Sequence, residues 1–172
     1  MKKIVTIYGL LAGAIVTSVM VYSIAKSYAQ ENFDSGMLLG YASMVIAFSF
    51  IFVGVKKYRD NHVQGQFSFG KAFLIGMYIS LIASTLYVIV WMLYYYFVIP
   101  DFMDRYCAYM LKDAQSNGSS AEALKVKAEE MDRFKQMYKN PIWVVLLTYS
   151  EILPVGLLMS VIAALVFKKK HS

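Results

Sequence analysis

The sequence predicts an all-α integral membrane protein: a bundle of four transmembrane helices with an extramembrane helical hairpin between the third and fourth spans. Three observations predict it. Hydrophobic residues make up 59% of the 172 residues and charged residues 16%, whereas soluble domains run nearer half and a quarter. Mean hydropathy is +0.51. Four stretches are free of charge, or nearly so, over the roughly 20 residues that cross a hydrocarbon core of about 30 Å. This composition excludes a disordered chain, a basic nucleic-acid-binding domain and most soluble enzymes. Residues 1–172 read as one membrane domain, and β-barrel strands would be shorter and would alternate.

The first span is Ile4–Ala25, without a charge. Lys2-Lys3 before it and Ser27-Tyr28-Ala29 after it imitate a signal peptide, but the apolar run exceeds the usual 7–15-residue core of such peptides. The expectation is a retained helix. The second span, Gly36–Val55, ends on Lys56-Lys57-Tyr58-Arg59. Ser68 then reads as the N-cap of a third span, Ala72–Ile99. Pro100 should interrupt the chain there. The hairpin occupies residues 101–140. In its first helix Phe102, Tyr106, Tyr109 and Met110 share a face. Gln115–Ser120 has turn composition. Ser119 and Glu122 form a capping box for a second helix that runs to about Lys139, with Leu124, Ala128, Met131, Phe134 and Tyr138 as its stripe. The two stripes are expected to pair. The fourth span, Ile142–Phe167, follows Pro141 and carries one charge, Glu151.

Small residues recur four apart in each span: Gly9 and Gly13, Gly36 and Gly40, Gly76 with Ser80 and Ser84, and Gly156 with Ser160 and Ala164. Lipid tails are as apolar as leucine, so such faces join helices by close backbone approach. They predict a compact bundle, with a homodimer seam or another membrane protein as the alternative partner.

Basic residues set the topology. The side holding both termini and the Lys56–Lys71 loop carries Lys2, Lys3, Lys56, Lys57, Arg59, Lys71 and three C-terminal lysines, while the long loop balances seven bases against seven acids. Both termini are therefore expected in the cytoplasm. The net charge of +6 is assigned to anionic lipid headgroups on that face rather than to nucleic acid. Tyr22, Tyr28, Trp91, Tyr94, Tyr95, Tyr96, Phe97, Trp143 and Tyr149 read as an interfacial belt at the other face.

No hydrolase, phosphate-loop, zinc or nucleotide motif is present. The single cysteine, Cys107, excludes an internal disulfide and a thiolate metal site. His62 and His171 are too few for a metal. No catalytic, cofactor or metal residue is expected. Asp101 with Arg105, and Glu130 with Arg133, stand at ion-pair spacing.

Glu151 is the exception to a bland reading. It lies nine residues after Ile142, about 13 Å into the membrane at ~1.5 Å per residue, where a carboxylate costs roughly 2.5–3.5 kcal/mol. Pro154 lacks an N–H, so the Ser150 carbonyl should lose its partner and the helix should kink. Thr17, Ser43, Ser84 and Tyr87 stand at similar depth, Tyr87 being the expected hydrogen-bond partner. The acid either ties two helices together or couples a proton or ion.

Four blocks carry a resemblance: Gly40–Asp60, Phe67-Ser-Phe-Gly-Lys-Ala-Phe73, Pro100-Asp-Phe-Met-Asp-Arg-Tyr106, and Glu151-Ile-Leu-Pro-Val-Gly156 with the lysine tail. Together they resemble the DUF4199 family of membrane proteins, found mainly in Bacteroidetes, over nearly the whole chain. The resemblance implies a multi-pass protein of the bacterial inner membrane, of unknown activity, and carries over no catalytic residues. The leading expectation is a non-enzymatic structural or accessory protein that binds a partner. The alternative is a small proton- or ion-coupled transporter using Glu151. A tight bundle without a polar cavity favours the first, and a pocket reaching Glu151 favours the second.

Overall fold

A computed structural model of the chain describes residues 1–33, 36–62 and 66–168. Its elements are α1 (Lys2–Gln30), α2 (Gly36–Phe48), α3 (Phe50–His62), α4 (Phe69–Phe97), α5 (Phe102–Ser116), α6 (Ala121–Tyr138) and α7 (Pro141–Phe167). Four helical stretches are long and apolar enough to cross a membrane: Lys2–Gln30, Leu38–His62, Phe69–Phe97 and Pro141–Phe167.

The second stretch is broken, where the sequence predicts one uninterrupted span. At Ser49 the hydroxyl donates to the Ile46 carbonyl at 2.6 Å. Its N–H is shared between the carbonyls of Val45 and Ile46, and the Ser49 carbonyl accepts from Phe52 at 3.0 Å. A serine that bonds back to its own helix competes with the regular ladder and bends it. By contrast α7 runs unbroken through Pro154.

Helix ends follow local chemistry. Ser68 accepts from the Lys71 N–H, as expected. Asn140 caps α7 through the Ile142 N–H at 3.0 Å, with Pro141 in the first turn. The cap of α6 is Ser120, which accepts from the Ala123 N–H, not Ser119. The reason lies at the end of α5. Gly118 has φ 76°, its N–H reaches Gln115 and the Ser119 N–H reaches Ala114. This is a Schellman ending; it takes up Ser119, so capping falls to the next serine.

α4 is the axis of the assembly. It packs against α1, α3 and α7, while α3 also touches α1 and α7. The half nearest the termini is closed by glycine. A Cβ on Gly76 would lie 2.8 Å from Ser160, one on Gly156 2.7 Å from Ser80, and one on Gly9 2.7 Å from Ile82. Gly13 would meet the Ala83 backbone at 3.1 Å, and Gly54, which the small-residue spacing does not single out, would meet Ile79 at 2.6 Å. The Ser80 and Ser160 hydroxyls stand 3.2 Å apart in this seam. Phe48, Ile51, Ile75 and Ile79 fill the remaining space.

The half beneath α5 and α6 is built differently. Beyond Ser49, α2 packs against α1 and α7, without comparable packing on α4 among the described residues. Nothing lies within 4 Å of a Cβ placed on Gly40, so this glycine does not join helices here. The side-chain surroundings of Gly36 lie outside the described residues. α5 and α6 pack together, and α6 reaches α7. The α5 residues buried are Met103 and Cys107, the latter's thiol at 3.7 Å from the Met131 carbonyl. The expected stripe of Phe102, Tyr106 and Tyr109 turns instead toward Phe33, with ring centroids 5.4–5.7 Å away.

Candidate functional site

A cavity of about 450 Å³ occupies the hairpin-side half of the bundle. α1 lines it with Met20, Ser23, Ile24 and Ser27, and α2 with Gly40 and Ser43. Tyr87 and Trp91 come from α4, and Thr148 and Glu151 from α7. Phe102, Tyr106, Tyr109 and Asp113 of α5, with Phe134 and Tyr138 of α6, cover the other side. The space lies where α2, which precedes Ser49, lacks among the described residues the packing on α4 that the other spans have, and where Gly40 brings no side chain into the gap.

Glu151 is exposed within the folded chain and borders this cavity. Its carboxylate has no hydrogen bond to any described residue, so the expected bond from Tyr87 is not formed, although Tyr87 lines the same wall. Glu151 stands close enough to Tyr138 and Tyr106 to add to the rise of their phenol pKa values, which burial causes first. Thr148, one turn before Glu151 on the same face, donates to the Val144 carbonyl at 2.7 Å. Ser43 donates to the Gly40 carbonyl at 2.7 Å. Both oxygens keep acceptor capacity toward the cavity.

Thr17 and Ser84 lie one turn nearer the termini than Met20 and Tyr87. Their hydroxyl oxygens are buried without a hydrogen-bond partner. Below them comes the Ser80–Ser160 pair. Glu151, Tyr87 and Ser43 thus share one cavity, Thr17 and Ser84 sit beneath it, and Pro154 lies apart on an exposed face of α7. Trp91 and Tyr95, expected in an interfacial belt, are 5% and 7% exposed beneath the hairpin. Trp91 meets the edge of Phe102 at 5.3 Å. Tyr96 and Phe97 do face outward.

Thr148 was legible in principle from its helical spacing to Glu151. Phe33, Asp113 and Tyr138 carried no such signal, because only folding brings the α1–α2 connection and the hairpin over the bundle.

A polar cluster ties the start of α5 to the end of α1. Arg105 contacts Asp101 at 2.8 Å and Glu31 at 3.4 Å, with its guanidinium 4.3 Å from the centre of the Tyr28 ring. The Tyr28 hydroxyl donates to Asp101. That hydrogen bond, then the one from Arg105, holds the Asp101 carboxyl below the usual carboxylate range. Elsewhere on the hairpin, Glu130 faces Lys127 at 3.9 Å rather than the expected Arg133, and Lys135 pairs with Asp104 at 2.9 Å. Among the described residues no group of three or more His, Cys, Asp or Glu side chains could hold a metal ion.

At the opposite end, basic side chains cover aromatic rings: Lys57 over Tyr8, Arg59 over Phe167 and Lys71 over Tyr58, at 5.2–5.9 Å. His171 and the last lysines lie outside the described residues.

No curated protein and no solved structure matches this chain. A family model described as a protein of unknown function (DUF4199) matches residues 7–169. That match takes in the helices lining the cavity and the hairpin over it, and by it the chain belongs to the DUF4199 family.

Proposed function

We propose that this protein is a non-enzymatic carrier of the bacterial inner membrane, with four spans, both termini in the cytoplasm and the α5–α6 hairpin outside. It binds a small molecule in the cavity beneath that hairpin and uses Glu151 as its coupling acid. One observation carries the reading. A cavity that reaches Glu151, in the apolar run of the fourth span, lies in one half of the bundle, while close glycine–serine contacts pack the other half. A ligand-sized space beside a close-packed seam suits alternating access. The volume falls within the roughly 300–1,000 Å³ of small-molecule sites. A purely structural bundle gains nothing from such a space, because unfilled volume forfeits packing.

Gly40→Trp tests this directly, since the position has room for a side chain. Wild type and variant are purified from native membranes in mild detergent and examined by native mass spectrometry. The expected result is a bound small molecule in the wild type that is missing from an equally folded variant. Identical spectra for the two, with no bound species in either, would remove the reading.

A further inference from the structure

The lining of the cavity is unlike the rest of the chain. The protein carries 17 basic and 11 acidic residues. Among the described residues, the cavity wall holds two carboxylates, Glu151 and Asp113, and no lysine, arginine or histidine. The two bases of α5 are engaged outside it. Arg105 is committed to Asp101 and Glu31, and Lys112 lines a neighbouring recess that it shares with Arg105. Aromatic residues are 16% of the chain but eight of the nineteen that line the cavity. The Asp113 carboxylate accepts from the Asn117 amide at 3.0 Å. The Glu151 carboxylate has no such partner among the described residues. A carboxylate taken out of water needs a counter-charge or hydrogen-bond donors, and none of the described side chains of the wall is bonded to it. Ser43 and Thr148 spend their hydroxyl protons on helix carbonyls.

We infer that the cavity takes a small organic cation, an amine or quaternary ammonium on a compact apolar body, with Glu151 as its counter-charge and Tyr87, Trp91, Tyr106 and Tyr138 as an aromatic cage. This rests on the cavity being a ligand site. Aromatic faces attract cations through their quadrupole, most strongly when water is excluded. An anion would meet two carboxylates and no base. A hard metal ion needs more oxygen ligands than these walls supply. A neutral ligand would leave Glu151 without a counter-charge. A free amine and the amine of a lipid headgroup offer the same chemistry, and the test separates them.

The experiment uses the full chain in nanodiscs, with Trp143→Phe so that Trp91 is the remaining tryptophan. Trp91 fluorescence is titrated with benzyltrimethylammonium, neutral N-benzylacetamide and anionic phenylmethanesulfonate. The cation should saturate the signal and bind at least about tenfold tighter than the neutral probe, the factor that 1.4 kcal/mol represents. Phenylmethanesulfonate should not saturate. Glu151→Gln should weaken the cation by about tenfold, while Glu151→Asp, which keeps the charge, should retain binding. The comparison between probes needs no variant and survives if Glu151→Gln fails to fold. Discs containing phosphatidylethanolamine should weaken binding relative to phosphatidylglycerol discs if the occupant is a headgroup amine, and leave it unchanged if it is a free amine. If N-benzylacetamide binds as tightly as the cation and Glu151→Gln changes nothing, the inference is overturned and the ligand site stands. If no probe saturates, or if Gly40→Phe, which fills the same space without adding a tryptophan, leaves all titrations unaltered, both fall.

Discussion

Individual residues show how unevenly the small side chains are employed. Gly76 and Gly156 each face a serine of the opposing helix at a distance no Cβ could tolerate, whereas Gly40 faces open space. Gly156→Ala should therefore cost about 1–3 kcal/mol, the usual penalty for overpacking, and should lower the unfolding temperature in detergent. Gly40→Ala should leave it unchanged or raise it slightly through helix propensity. Equal effects of the two substitutions would refute the packing assigned to both. Asp101 gives a pH prediction. Its carboxyl is held below its usual pKa by Tyr28 and then Arg105, with Glu31 the other acid facing Arg105. A carboxyl depressed in the folded state stabilises it above the unfolded pKa, near 4. That contribution disappears as pH falls through the lower native value. Asp101→Asn should accordingly be less stable than wild type at pH 7 and converge on it below about pH 3, as read by thermal melts across pH. The spacing of Asp101 and Arg105 was legible in the sequence. The participation of Tyr28, 73 residues away, was not, because nothing local to either residue encodes it.

At the level of elements, apolar run length placed all four spans, since hydrocarbon thickness imposes it directly. It could not place the break at Ser49. Serine is ordinary in a transmembrane helix, and whether its hydroxyl turns back on the Ile46 carbonyl depends on what the neighbouring helices allow. Ser49→Ala should straighten the second span and bring α2 toward α4. Spin labels at Leu38 and Phe97, both outward-facing, should then report a shorter distance in a double electron–electron resonance measurement, and an unchanged distance would show that the break is imposed by packing alone. The α6 cap teaches a similar lesson. Serines 119 and 120 are equivalent in composition, and only the Schellman ending of α5 selects the second. Ser120→Ala should cost about 1 kcal/mol in denaturant unfolding, and Ser119→Ala a few tenths. The reverse order would restore Ser119 as the cap. The aromatic stripe of α5 was visible as a stripe, but its target was not: periodicity identifies a face, not what the face meets.

For the whole molecule, composition alone pointed to a membrane protein, and four helices long and apolar enough to cross a bilayer follow. The cavity was beyond reach from sequence because it is bounded by six helices and a connecting segment, and empty volume has no residue to announce it. Glu151, which borders it, stood out in the sequence only as a lone charge in an apolar run, costly wherever it sits. The topology we propose has a simple check. In a Cys107→Ser background, Asn117→Cys should react with an impermeant maleimide in intact cells, and Asn61→Cys only after permeabilisation; the opposite pattern would invert the protein.

The central position of α4 also constrains biogenesis. A ribosome delivers α1 and then the broken second span to the bilayer before the third hydrophobic segment exists. The glycine face of α1 that accepts Ile82, Ala83 and Leu86 must wait unfilled in lipid until Phe69–Phe97 has been synthesised. Early insertion intermediates thus expose the adhesive surface on which the finished bundle depends, and they invite capture by quality-control proteases or mispairing with other nascent helices. Chains truncated shortly after residue 66 should turn over rapidly in pulse–chase experiments, and chains that extend past residue 98 should persist longer.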